Sequence, residues 1–301
     1  MIGCAPLANT GIPVNRRWLA SAARPRQASV EEVVLSDLDR LSTEVTGALA
    51  AGRHVLLLSD FDGTLSPIVD HPADAWLPRA VGDDLRILAA SPRLRVGILS
   101  GRTLTDVRAR VGISGLVYAG CHGWQIEGLG MTFVHPATAM HRQALADAAD
   151  DVSRRLGSMA GVLVEVKDFS IAVHYRHVIA TNLAAVGAAV DEVVRAQAAL
   201  TRLHGKKVIE IVPRGWSKGH GATYIHDQLA STIPGGISLV YLGDDATDET
   251  VFAKLSQVAL TAHVGEATET LARYRLADVE EVHRFIAVLA EDVLSRSETC
   301  A

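Results

Sequence analysis

Cysteine, aromatic side chains and long apolar runs are all scarce in this 301-residue chain, and each scarcity removes a class of protein. The three cysteines, Cys4, Cys121 and Cys300, are odd in number and form no C-x-x-C pair. That argues against a disulfide framework or a zinc site and for a reducing, cytoplasmic setting. No apolar stretch approaches the ~18 residues of a membrane span. Residues 1–29 hold no continuous apolar core, so no signal peptide is expected there. Positive charge is not in excess either: 29 Lys and Arg face 34 Asp and Glu, a formal charge of −5. A nucleic-acid partner would favour a basic face, so none is expected.

What is present is globular. Hydrophobic residues make up 49% and charged residues 21%, which excludes a disordered or fibrous chain. At roughly 150 residues per domain the length suggests about two domains. Val34, Leu38, Leu41, Val45 and Leu49 recur at helical spacing, so a helix is expected over 30–50, behind a poorly ordered arm at 1–29.

Four short apolar runs follow, at His54–Ser59, Arg95–Ser100, Gly115–Ala119 and Ser238–Leu242. Three of them (Val55–Leu58, Val96–Leu99, Leu239–Leu242) have continuously apolar cores, the pattern of strands buried on both faces of a parallel sheet. Helical spacing at Arg79–Ala90, Leu104–Val111, Gly219–Ala230 and Asp248–Leu255 alternates with them. The expected fold is therefore α/β, with a doubly wound, Rossmann-like parallel sheet.

The middle of the chain reads differently. Helices are expected at Thr138–Leu156 and Thr181–Leu200, and alternating strands at Val162–Lys167, Ile171–Tyr175 and Val208–Val212. Alternation marks a sheet covered on one face only. An α+β module at 138–213 is thus expected to interrupt a core formed by 51–137 and 214–295.

Chemistry gathers where the buried runs end. The first delivers Asp60 and Asp62, with Gly63 next to make a sharp exit from the sheet. Carboxyl ends of doubly wound strands are where ligands bind. A carboxylate there can attack phosphorus, and a second, two residues on, can give and take a proton. Taken alone, the segment also fits an Asp-Gly turn with two solvated acids.

The second run ends in Ser100-Gly101-Arg102, whose hydroxyl and amide can donate to phosphate oxygens, although such a turn is usually only a helix cap. Lys218 stands at a helix start, where a cation is badly placed for the dipole unless an anion shares the site. The last run ends in Asp244, Asp245 and Asp248. Three acids so close repel unless a cation joins them, and hard oxygen ligands without a His or Cys pair point to Mg²⁺. A solvated acidic helix start is the competing reading.

These four segments resemble the four motifs of haloacid dehalogenase-like phosphatases, in that superfamily's order. Further runs narrow the likeness: Asp60-Phe-Asp-Gly-Thr-Leu-Ser-Pro-Ile-Val69, Ala119-Gly-Cys-His-Gly123, Glu165-x-Lys167, Val173-His-Tyr-Arg176, Lys207-Val-Ile-Glu210-Ile-Val-Pro213 and Gly243-Asp-Asp-Ala-Thr-Asp-Glu249. Together they resemble the trehalose-6-phosphate phosphatases from about Leu56 to Phe285.

The resemblance implies a haloacid dehalogenase-type core with an inserted α+β cap, Asp60 as nucleophile and Asp62 as acid/base. It implies Mg²⁺ on Asp60, the Asp62 carbonyl and Asp244, with Asp248 indirect, and Ser100, Gly101 and Lys218 on the phosphate. The implied substrate contacts are Arg102, His122, Gly123, Glu165, Lys167 and Glu210. From spacing alone, Glu165 and Lys167 share one strand face and Val164 and Val166 the opposite one, packed under the helices. An ordinary solvated face stays open as the plainer reading of the polar side.

The expected activity is Mg²⁺-dependent hydrolysis of trehalose 6-phosphate in the cytoplasm, with a sugar phosphate as small-molecule partner and a trehalose-phosphate synthase as a candidate protein partner. A phosphatase for a sucrose or mannosyl phosphate is the alternative enzyme. A catalytically silent sugar-phosphate-binding partner of a synthase is the alternative of another class.

Overall fold

The computed structural model describes residues 35–267 and 269–299. The arm expected at 1–29 lies outside them, as do residues 30–34 of the expected first helix. That helix, α1, runs Asp37–Ala50 and is opened by a capping box between Ser36 and Asp39.

In chain order, the elements after it are β1 (His54–Ser59), α2 (Arg79–Ala90), β2 (Leu94–Leu99), α3 (Leu104–Val111), β3 (Val117–Gly120), β4 (Gln125–Gly128) and β5 (Met131–Val134). Then come α4 (Thr138–Leu156), β6 (Leu163–Val166), β7 (Ile171–His174), α5 (Leu183–Ala196), β8 (Leu200–Gly205) and β9 (Val208–Pro213). The chain finishes with α6 (Lys218–Thr232), β10 (Ile237–Gly243), α7 (Glu249–Leu255), β11 (Ala259–Val264), β12 (Tyr274–Leu276) and α8 (Val279–Thr299).

Two sheets result. The larger has eight strands in the order β12-β11-β10-β1-β2-β3-β4-β5, parallel from β12 to β3 and antiparallel at β4 and β5. β1 is central, paired with β10 on one side and β2 on the other.

Its continuous apolar cores are explained by two separate clusters. Val55, Leu57, Val96, Ile98, Val240 and Leu242 point to one face, with α1, α2, α3 and α8. Leu56, Leu58, Leu239 and Tyr241 point to the other, with α6 and α7. Alternate residues of each strand therefore serve opposite faces, and each buried Leu or Val contributes about 1.5–3 kcal/mol.

The smaller sheet is antiparallel, in the order β6-β7-β9-β8. α4 and α5 cover one face through Val152, Leu156, Val186 and Val190, packed on Ile171, Val173, Ile209 and Ile211.

Two expectations fail here. The helix expected to reach Leu200 stops at Ala196, and Leu200 opens β8, an unexpected hairpin partner of β9. Val166 does not pack under the helices. β6 is the edge strand, only its Val164 reaches the cluster, and Val166 is 60% exposed.

Candidate active site

β1, β2, β3 and β10 end side by side, and the loops that follow hold the candidate residues. The β1–β10 pairing extends one residue past the strand, since Asp60 N donates to the Leu242 carbonyl at 2.9 Å. This extra rung fixes Asp60 at the mouth of the sheet. Gly63 follows with φ +82°, and a Cβ there would run into the Asp244 carboxylate. Glycine is required at 63 by both its backbone and that close approach.

Four charged groups meet in this buried corner. Lys218 Nζ lies 3.0 Å from Asp60 Oδ1 and 2.9 Å from Asp248 Oδ1. Asp248 also accepts hydrogen bonds from the Tyr241 hydroxyl at 2.6 Å and from the backbone N–H groups of Asp244 and Asp245 at 3.0 and 3.1 Å. With four donors, both Asp248 oxygens are engaged, so this residue braces the loop and the lysine from beneath.

Asp60, Asp244 and Asp248 can bring one carboxylate oxygen each within 4.8 Å of one another. Burial and its acidic neighbours raise the Asp244 carboxyl to about 7, against the pull of Lys206. Asp60 is likewise raised by burial, with Lys218 opposing and Asp248 and Asp244 reinforcing the shift. Hard oxygen donors held together at this electrostatic cost fit a divalent cation of the Mg²⁺ type. Asp60 and Asp244 are the side chains free to ligate it, with Asp248 behind them.

Asp62 turns the other way. Its carboxylate is gripped by Arg102, whose Nε meets Oδ2 at 2.6 Å and Nη2 meets Oδ1 at 2.7 Å. Arg102 also holds Asp106 through Nη1 at 2.8 Å and the Pro72 carbonyl through Nη2 at 2.8 Å.

The Ser100–Arg102 turn is stitched to the loop after β3. His122 N donates to the Ser100 carbonyl at 2.9 Å and Cys121 N to the Arg102 carbonyl at 2.7 Å. Cys121 and His122 both adopt positive φ, at 49° and 58°. Gly123 faces Gly221 of α6, so packing against that helix gives it a reason to be glycine.

The second sheet closes over this edge. Glu210 is buried and takes bonds from His122 Nε2 at 2.5 Å, Lys167 Nζ at 3.0 Å and Ser170 Oγ at 2.7 Å. Burial would raise its carboxyl, yet Lys167 and His122 hold it well below the usual glutamate range. Lys167 also donates to the Gly101 carbonyl at 3.1 Å, so one ammonium joins the two sheets. At the β8–β9 turn, Lys206 reaches Asp244 Oδ2 at 2.5 Å.

Between the sheets lies a cavity of about 230 Å³. Asp60, Asp62, Ser100, Gly101, Arg102, His122, Lys218 and Asp244 line it on one side, and Glu165, Lys167 and Glu210 on the other. Glu165 pairs with His174 at 3.1 Å at its rim. Gly123 and Asp248 are not among the lining residues.

Sequence reasoning missed Lys206, Tyr241 and Asp106. Tyr241 carried a usable signal, because a tyrosine in a fully buried strand needs a partner for its hydroxyl. Lys206 carried none, being one of two lysines in the turn of a hairpin whose first strand, β8, was not recognised in the sequence.

A trehalose-phosphate phosphatase of Mycobacterium avium is 40% identical over 222 residues, which cover 72% of this chain and 56% of the relative. Another, of Mycolicibacterium paratuberculosis, is 37% identical over 263 residues, 84% of this chain and 66% of the relative. The chain thus spans between about half and two thirds of these relatives' length. The solved C-terminal domain of a Candida albicans trehalose-6-phosphate phosphatase superposes with a TM-score of 0.74 at 22% identity, over 83% of this chain and 96% of that domain, a likeness of fold. The family model for trehalose-phosphatase matches residues 58–280, most of the sequence, and the chain belongs to the trehalose-phosphatase family.

Proposed function

We propose that this chain hydrolyses trehalose 6-phosphate to trehalose and phosphate through an aspartyl-phosphate on Asp60. The observation that carries the reading is the pairing of Asp60 with Lys218 beside Asp62 and Asp244, all opening into one cavity roofed by Glu210 and Lys167.

In this reading Lys218 holds Oδ1 of Asp60, and the other oxygen attacks phosphorus. The bond from phosphorus to the sugar oxygen breaks, and that oxygen takes a proton from Asp62. Water then attacks the phosphorus, Asp62 accepts its proton, and phosphate leaves as Asp60 is restored. Ser100, the Gly101 amide and Lys218 neutralise the transferring oxygens in place, which is the main demand of phosphoryl transfer. Asp60, the Asp62 carbonyl and Asp244 would hold Mg²⁺, which offsets charge between the nucleophile and the phosphate.

Residues 138–213 act as a cap over the sugar. Glu165, Lys167 and Glu210 offer acceptors and donors to its hydroxyls, and so does His122, whose Nδ1 is buried without a partner. Arg102, turned onto Asp62, and Gly123, outside the cavity lining, are not counted among these contacts. A cytoplasmic location and a synthase partner that makes the phosphate ester belong to the same reading. No described helix is long and apolar enough to cross a membrane.

The test is phosphate release over a panel holding trehalose, sucrose and mannosyl phosphates, with Asp60→Asn as control. Turnover of trehalose 6-phosphate that the substitution abolishes supports the reading. A preference for another sugar phosphate would move the substrate, and activity surviving in Asp60→Asn would remove the nucleophile.

A further inference from the structure

Arg102 lies in the turn just after β2, where a phosphatase would use a cation on its substrate, yet its guanidinium faces the protein. Four of its five N–H groups are spent. Nε and Nη2 form a two-pronged grip on Asp62, Nη2 also reaches the Pro72 carbonyl, and Nη1 reaches Asp106. The guanidinium lies over the Phe61 ring, 5.6 Å from its centre, and its side chain is only 11% exposed.

The far side of this grip is itself braced. Asp106 is held by Arg110 Nε at 2.9 Å, and Arg110 Nη1 bonds the carbonyls of Ala73 and Ala75 at 3.0 and 2.6 Å. Thr103 caps α3 and takes the Asp106 N–H at 3.2 Å, which fixes the turn that carries Asp106. Two arginines of this segment therefore strap down residues 72–75, the loop next to Asp62.

Asp62 has nothing else to aim it. Among the described residues no side chain but Arg102 bonds its carboxylate, and that carboxylate is 34% exposed. A half-solvated carboxylate on a loop would otherwise sample several rotamers. A planar fork matched to both oxygens selects one orientation, which a lysine's point charge cannot do.

We propose that Arg102, braced by Asp106 and Arg110, is a positioning residue that aims the Asp62 carboxylate, and that it does not bind the sugar phosphate. The inference rests on the acid/base role proposed above for Asp62. It makes Asp62's proton delivery depend on a residue that never touches the reacting atoms.

Leaving-group chemistry tests this. An alkoxide leaving from a sugar needs a proton, whereas 4-nitrophenolate leaves without one. The experiment measures the first-turnover rate of leaving-group release from trehalose 6-phosphate and from 4-nitrophenyl phosphate, with KM for each. Arg102→Lys and Arg102→Gln are expected to slow the sugar phosphate by roughly 10–100-fold, part of the full worth of acid catalysis. They should leave 4-nitrophenyl phosphate within about threefold, and KM within about threefold for both.

Asp106→Asn loosens the brace without touching Asp62 and should give the same pattern, weaker. It also covers the case in which the Arg102 variants fail to fold. A rise in KM with an unchanged first-turnover rate would overturn the proposal in favour of substrate binding. Equal slowing of both substrates by the Arg102 and Asp106 variants would overturn it too. Asp62→Asn separates the two readings. If it lacks the leaving-group selectivity, the acid role of Asp62 falls; if it shows the selectivity and the Arg102 and Asp106 variants do not, only the positioning role falls.

Discussion

The two sheets solve opposite problems. The eight-stranded sheet is buried on both faces, and its edge gathers acids that repel one another around Asp60, Asp244 and Asp248. The four-stranded sheet is covered on one face, and its other face carries Lys167 and Glu210, already neutralised by each other. One region stores unfavourable charge on a rigid frame; the other presents satisfied charge on a lighter one. Strain of the first kind is useful for holding a cation and a phosphate. Satisfaction of the second kind suits the role proposed for this surface, that of exchanging its own bonds for those of a sugar.

The largest effect should come from removing the satisfied charge. Glu210→Ala leaves Lys167 buried without its carboxylate, and breaking such a pair costs about 3–5 kcal/mol. Urea denaturation should show that loss, and a loss under about 1 kcal/mol would mean the cluster is solvated. The pH behaviour has a definite sign. Against burial, which raises it, Lys167 and His122 depress the folded Glu210 below its ordinary value of 4.5, so its contribution is present above that value. It disappears as pH falls through the depressed value, and Glu210→Gln should flatten this acid limb.

Tyr241→Phe probes the rigid side. It removes a buried hydrogen bond to Asp248 and should cost about 1–3 kcal/mol in the same assay. Because Asp248 steadies Lys218 and the Asp244 N–H, the metal affinity of this variant should also weaken. Unchanged calorimetric Mg²⁺ binding would mean that Asp248 needs only its other three donors.

The metal itself sharpens the contrast. In metal-free protein, burial and the neighbouring Asp248 and Asp245 push the Asp244 carboxyl up to about 7 from its ordinary value of 3.8. Between those values the folded state keeps a proton that the unfolded chain releases. Stability therefore falls as pH rises through that window, and added Mg²⁺ should restore it. Mg²⁺ must displace this proton, so its affinity should drop about tenfold per pH unit below 7 and level off above. A flat calorimetric affinity from pH 5 to 8 would contradict this.

The smallest effect should come from Lys206→Gln. This half-exposed ammonium shares the buried Asp244 with the incoming cation, and solvent around the lysine keeps their pairing to about 1 kcal/mol. Mg²⁺ should bind the variant up to about fivefold more tightly. Weaker binding would show that Lys206 assists the cation.

How much of this the sequence disclosed follows from the kind of signal each part carries. Continuous apolar runs and helical periods announced β1, β2, β10 and helices α2, α3 and α4, because burial of those elements is decided locally. β8 was not legible, since Thr201, Arg202 and His204 interrupt its apolar pattern. Its turn with β9 has no Asn-Gly signal and instead puts Lys207 at φ 66°. In the site, acids at the ends of buried strands were visible as clusters. Which acid would pair with Arg102 was not, because Asp62 and Arg102 are 40 residues apart and meet only when β1 and β2 pair.

The junction between the sheets has one further consequence. Where the chain crosses, Cys121, Trp124 and Phe169 form a small apolar cluster with Ala137 and Trp216. At the cavity, by contrast, the sheets are joined by Lys167, Glu210 and Lys206, all through polar bonds. Sugar hydroxyls can stand in for these polar bonds but not for the apolar cluster, so a bound sugar would exchange the contacts at the cavity and leave those at the crossing intact.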